Sequence, residues 1–151
     1  MPGHIPWTKV DLWLRSPRSI WLSTSRPDGR PHAVPVWFIW DGVSIFFTTP
    51  RRSQKGRNLV HQPAVVVHAG DGDDVVILEG IARIVTNPND LSRVDTMYQE
   101  KYVDPHSGAR ASIFDSAGDD LYWVEVHRIM AWEYGVVGTR TDWTFADRTD
   151  G

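Results

Sequence analysis

The chain has 151 residues, no cysteine, a formal net charge of -3 and a sequence pI near 6.0. That length can bury one sizeable core, the acidic balance argues against a nucleic-acid partner held by bulk electrostatics, and the missing cysteines remove disulfides, thiolate catalysis and cysteine-ligated metals. No apolar run approaches the roughly 20 residues that span a bilayer and no secretory pattern opens the chain, so a soluble cytoplasmic protein is expected.

In chain order, Pro6 suits the first position of a short helix whose apolar face is Val10, Leu12, Trp13 and Leu14, stopped by Ser16 and Pro17. Residues 18–25 read as a strand. Pro27, Asp28 and Gly29 form a turn, and 31–40 read as a second strand that Asp41 and Gly42 turn into a third, 43–49. Two Asp-Gly turns between three apolar runs predict an antiparallel meander. Pro35 lacks the donor that a central strand needs. It marks an edge, a bulge or an opened ladder, and a kinked edge strand accounts for it as well as a binding role does.

A helix from Ser53 to about His61 ends before Gln62 and Pro63, and 64–69 form a buried strand. The acidic turn 70–74 lacks the remaining ligands of a calcium loop and reads as solvated. Residues 75–85 make the longest strand before the last one, with Gly80 at a bulge or bend. The next helix runs to about Tyr102 and aligns Leu91, Val94, Met97 and Tyr98 on one face. Residues 103–120 read as a mobile loop with room for a short helical piece, 121–134 as the final strand, and 135–151 as a largely polar tail. Six strand-like runs with short helices between them predict one mainly β (α+β) domain, a small antiparallel barrel spanning residues 1–151.

The stretch from Thr48 to Leu59 concentrates the chemistry. A strand ends in Thr48 and Thr49, Pro50 breaks it, and a basic helix start follows. Ser53 can cap that helix, and unpaired backbone amides carry the positive end of its dipole. Lys55 and Arg57 add charge and Asn58 an amide donor. These residues describe a phosphate cradle, or equally a capped surface helix with solvated basic side chains. Elsewhere the signals are weak. The six histidines include no pair at the i, i+4 spacing of a helical zinc site, and no nucleophile elbow, dinucleotide fingerprint or Walker loop is present. Neither a metal site nor a catalytic side-chain set is expected. A phosphate cradle and eight tryptophans without acid–base machinery suit a protein whose cofactor carries the chemistry.

Residues 22–38, with their Asp-Gly-Arg-Pro turn and Val-Pro-Val-Trp strand, together with 53–59 and 76–80, resemble the pyridoxamine 5'-phosphate oxidase-like split-barrel family. More narrowly they are similar to its flavin/deazaflavin oxidoreductase branch, over about Ile20 to Trp132. The resemblance implies a six-stranded split β-barrel and a homodimer with cofactor sites at the subunit interface. It implies a flat ring along Val34, Pro35, Val36 and Trp37, and a phosphate on Thr48, Thr49, Ser53, Lys55, Arg57 and Asn58. Val75, Val76 and Ile77, with the tail, would complete the partner's site. The implied cofactor is the deazaflavin F420, with FMN as the alternative, and the implied activity is hydride transfer to a small conjugated or quinone-like substrate. A non-catalytic tetrapyrrole carrier is the other class, with His32, His68 and His127 as its strand-borne ligand candidates.

Overall fold

A computed structural model describes residues 5–134 and 140–145. The chain runs α1 (Trp7–Arg15), β1 (Ser19–Ser25), β2 (Pro31–Trp37), β3 (Ile39–Trp40), β4 (Ile45–Pro50), α2 (Gln54–His61), β5 (Ala64–Gly70), β6 (Val75–Ile84), α3 (Pro88–Lys101), β7 (Asp119–Trp132) and β8 (Thr141–Thr144). Period-two alternation sets the inner face. Ile20, Leu22 and Thr24 of β1 are buried while Ser19 and Trp21 are exposed, and Val65, Val67 and Ala69 repeat the pattern in β5. Full burial of side chains such as Leu22, Leu78 and Ile129 stabilises the barrel by roughly 1.5–3 kcal/mol each.

The strands pair antiparallel in the order β2-β1-β5-β6-β7-β4-β3, with β8 added to β7. Because β2 continues into β3 through Phe38, the two ends of this path are joined by the chain itself. The sheet therefore curls until β2 approaches β4 without forming a ladder with it. That unladdered seam splits the barrel. α2 packs on β1 and β4 beside it, and α1 adds Val10 and Leu14 to the core at another face. α3 covers the outer surface of β3, β4 and β7, where Val94, Tyr98 and Tyr102 meet Ile39, Phe46 and Leu121.

The mainly β class with short helices is as expected, but the strand count is not six. Seven strands lie on the path and β8 makes eight in the sheet. One added strand arises because the run 31–40 breaks at Phe38, which is 0% exposed. The Phe38 amide donates to the Tyr102 hydroxyl at 2.8 Å, and its carbonyl accepts from Lys101 Nζ at 3.1 Å. Side chains from the end of α3 thus satisfy a residue that a ladder would otherwise serve. The other added strand, β8, comes from the polar-looking tail, which is held by pairing with β7 and by Trp143 against Trp7. The three-stranded meander is likewise replaced by two hairpins, β1–β2 and β3–β4. Both Asp-Gly turns form, with Gly29 and Gly42 at positive φ.

Three local expectations are met or adjusted. Pro6 is the N-cap of α1, one position before the helix. Gly80 sits at the bulge between β6 and β7, where a Cβ would come within 2.2 Å of the Glu125 carbonyl oxygen. The segment 103–118 contains no helix and is bonded down: Asp95 of α3 accepts from the Ser112 hydroxyl and the Ile113 amide. Burial raises the Asp95 carboxyl, but these hydrogen bonds and one from Gln99 outweigh it and hold it below the ordinary carboxylate value. Among the described residues no helix is long and apolar enough to cross a membrane.

Candidate functional site

The start of α2 is built by short-range contacts. The Ser53 hydroxyl donates to the Pro50 carbonyl at 2.7 Å and accepts from the Gly56 amide at 3.1 Å. Its single proton is committed, so Thr49, which lies 3.0 Å away and is 0% exposed, donates to it. The turn before the helix is so tight that a Cβ on Gly56 would stand 2.4 Å from the Pro50 carbonyl oxygen. Ser53 is thus the N-cap, and the amides of Gln54 and Lys55 have no intrahelical acceptor.

The basic and polar residues of this stretch do different things. Lys55 is half-buried, and among the described residues no carboxylate pairs with it. Arg57 is exposed and folds back, donating to the Arg52 carbonyl and, at 2.9 Å, to Gln54 Oε1. Asn58 is fully buried. Its amide donates to Thr24 Oγ1 at 2.9 Å and its oxygen accepts from Gln54 at 2.7 Å, so it bolts α2 to β1 and its amide is already engaged. Arg51 is held by two hydrogen bonds to Asp120.

His32 is the residue that sequence reasoning did not place here. It pairs with Thr24 in the β1–β2 register, on the inner face at the α2 end of the seam. Its Nδ1 is buried and has no hydrogen-bond partner. Burial, and then repulsion from Arg26 and Lys55, hold its pKa below the ordinary imidazole value. Arg26, just after β1, and Lys55, in the first turn of α2, thus both lie within electrostatic range of one buried, unsatisfied imidazole. An anion fits that arrangement: it would meet the free amides, offset the repulsion and supply an acceptor. The sequence put His32 forward only as a strand-borne tetrapyrrole ligand candidate; its one signal for an anion was that Arg26 and His32 flank the turn at Asp28 and Gly29.

Along β2 alternation separates the expected ring-lining residues. Val34 and Val36 point inward, Val36 as part of the core and Val34 packed against it. Pro35 and Trp37 point outward and are exposed. A ring lying along this strand can touch the side chains of Pro35 and Trp37, but only the backbone of the two valines. β2 ends the sheet path, so its open edge carries unpaired backbone groups. On β4, Thr49 faces inward and Thr48 outward, partly exposed.

Val75, Val76 and Ile77 are not brought to this place within the chain. Val75 and Val76 are buried. Ile77 faces outward in a row that registers Ile77 with His68, His68 with Trp21 and Trp21 with Pro35. With β5 and β1 between them, Ile77 and Pro35 stand roughly 14 Å apart at ~4.8 Å per strand. The tail residues Thr141–Thr144 pair with β7 of their own chain, and residues 135–139 and 146–151, also expected to reach a partner, lie outside the described residues. No cluster of three or more metal-ligating side chains occurs among the described residues.

Known proteins place this geometry. Residues 7–133 match the family model described as pyridoxamine 5'-phosphate oxidase. A conserved hypothetical protein from Mycobacterium tuberculosis superposes with a TM-score of 0.73 and 26% identity, over 97% of this chain and 95% of the other. A structure described as an F420 reductase superposes at 0.60 with 28% identity, over 79% of this chain and 94% of the other. A haem-binding protein from Mycobacterium smegmatis shares the fold at 0.69 with 16% identity, over 93% of this chain and 59% of the other. No curated protein matches the sequence. The family model covers most of the chain and agrees with a barrel split beside a basic helix start: the protein belongs to the pyridoxamine 5'-phosphate oxidase family.

Proposed function

We propose that the protein is a reductase that uses the deazaflavin coenzyme F420 and acts on small conjugated or quinone-like molecules, with FMN as the alternative cofactor. The observation that carries this reading is that the partnerless His32 Nδ1 lies within electrostatic range of Arg26 and of Lys55, which sits in the first turn of α2 with its open amides, on the strand whose outward face exposes Pro35 and Trp37. An anionic tail and a flat ring are what such a pair of neighbours would hold together. The likeness to an F420 reductase at 28% identity supports the choice of deazaflavin.

In this reading the coenzyme, when bound, supplies the hydride. The chain's residues bind and orient. Lys55 and the α2 amides neutralise the phosphate, Ser53 and Thr49 keep the turn shaped for it, and Asn58 fixes the helix on β1. Pro35 and Trp37 seat the ring, with backbone groups of Val34 and Val36 at the strand edge. Lys55 acts as an electrostatic anchor and not as a base. Thr48 and Arg57 lie at the outer rim. Because two strands separate Ile77 from β2, Val75, Val76 and Ile77 belong to the site only if a second subunit supplies them, which makes a homodimer part of the proposal.

Titration of the purified protein with F420, reduced F420, FMN and haem, followed by turnover with menadione, tests this. Tight binding of the deazaflavin with oxidation of its reduced form by the acceptor is the expected result. Preference for FMN would change the cofactor, and haem binding without hydride transfer would make the protein a carrier.

A further inference from the structure

The outer end of β2 carries an arrangement that the anion cradle does not use. Trp37 is 41% exposed, and its indole lies parallel to the Tyr102 ring, with centroids 4.4 Å apart and an interplanar angle of 3°. Tyr98 supports Tyr102 at 4.6 Å. The Arg18 guanidinium stands 4.6 Å from the indole centroid and 5.7 Å from that of Tyr102. It is too close to Tyr102 to lie across the indole from it, so it sits at the edge of the pair. With Trp37 this exposed, no second ring stacks on the indole face turned away from Tyr102 among the described residues.

The platform is rigid for a physical reason. The buried Tyr102 hydroxyl accepts from the Phe38 amide and has the carbonyls of Arg18 and Phe38 at 2.7 and 3.0 Å for its own proton. Both residues that flank the stack are thereby fixed through their backbones. Charge is also available. Among the described residues Arg18 forms no salt bridge; Asp104, whose carboxylate accepts from the His106 and Ser107 amides, lies within electrostatic range of it, and Lys101 is turned onto the Phe38 carbonyl.

We propose that the Trp37–Tyr102 pair, edged by Arg18, is a subsite for a planar aromatic anion, whose ring stacks on the open indole face and whose carboxylate meets the guanidinium. Stacking and a guanidinium–carboxylate contact both favour flat, charged rings over saturated or neutral ones. Pro35 lies two residues away on the same outward face, about 7 Å along the strand. The reading above also seats the coenzyme ring at Trp37, so an occupant of the indole face leaves that ring Pro35 and the indole edge; its role as substrate rests on that reading, whereas its binding to the cofactor-free protein does not.

The test uses the full-length protein without added cofactor, titrated by calorimetry with 2-naphthoate, cyclohexanecarboxylate and 2-naphthalenemethanol. 2-Naphthoate should bind at least about tenfold more tightly than the other two. Trp37→Leu and Arg18→Gln should each weaken it by roughly 5- to 30-fold, with Trp37→Phe retaining most of the affinity. Circular dichroism checks the fold of each variant, and Arg18→Gln serves if Trp37→Leu fails to fold. Absence of naphthoate binding, or equal affinity in the wild type and the variants, overturns the proposal. So does a Trp37→Leu protein of smaller oligomeric mass and unchanged naphthoate affinity, since Trp37 would then be a subunit contact. An F420 titration of the same samples separates the two ideas: coenzyme binding without naphthoate binding removes the platform alone, and the converse removes the cofactor reading alone.

Discussion

Lys55 lies within electrostatic range of His32, the first paired with no carboxylate among the described residues, the second short of a hydrogen-bond partner. Replacing Lys55 by alanine should weaken coenzyme binding by roughly 1.5–3 kcal/mol, the range of a charge-assisted contact, with little change in unfolding temperature. Equal affinity in a fluorescence titration of the variant would remove Lys55 from the site. His32 gives a pH signature. Its folded pKa lies below the unfolded value, so the unfolded chain binds the extra proton first, and the free protein loses stability as pH falls below about 6.5. A bound anion reverses the repulsion from Arg26 and Lys55 and raises that pKa. Binding should then take up protons and strengthen from pH 8 to pH 6. Calorimetry in two buffers of different ionisation enthalpy measures the uptake, and His32→Gln should abolish most of it.

At the scale of an element, α2 is fastened at three points: the Ser53 cap, the Asn58–Thr24 bond and the close approach of Gly56 to Pro50. Gly56→Ala places a Cβ where the Pro50 and Arg51 carbonyl oxygens stand, at 2.4 and 2.9 Å, and backbone cannot yield as a flexible side chain can. A loss of about 1–3 kcal/mol in urea denaturation is expected, together with weaker coenzyme binding because the helix start must shift. Full stability in Gly56→Ala would show that the turn has slack. The same logic applies where α3 meets β2. Tyr102→Phe removes the hydroxyl that bonds Phe38 and strands its buried amide, which should cost about 1–3 kcal/mol.

Across the whole molecule, α3 covers the outer side of β3, β4 and β7, whereas the outward row of Pro35, Trp21, His68 and Ile77 has no helix over it among the described residues. Trp21 is 46% exposed and stacks on His68, with centroids 6.4 Å apart and an interplanar angle of 6°. A strip of this kind suits burial against a second copy, which would also carry Ile77 to a neighbour's β2. Trp21→Glu should convert the proposed homodimer to monomers in light scattering and lower coenzyme affinity with it. A wild-type monomer at micromolar concentration that still binds the coenzyme would end the two-subunit reading.

Local chemistry was legible in the chain from the start. Asp28-Gly29 and Asp41-Gly42 need positive φ, Ser53 offers an oxygen three residues before an open amide, and Val94 and Tyr98 repeat at helical spacing; none of these depends on distant residues. Long-range contacts decided the rest. Phe38 reads as mid-strand until Tyr102, 64 positions away, takes its amide, and residues 141–144 read as polar tail until β7 offers them an edge. Asn58 reads as a free donor until Thr24 claims it, and His32 reads as one of three strand-borne ligand candidates until the fold leaves its Nδ1 buried without a partner, within electrostatic range of Arg26 and Lys55. Nearest-neighbour residues fix turns, caps and periodicity because those hydrogen bonds close within a few positions. Which polar groups remain unsatisfied, and so free to hold a ligand, is fixed only when the barrel brings separated segments together.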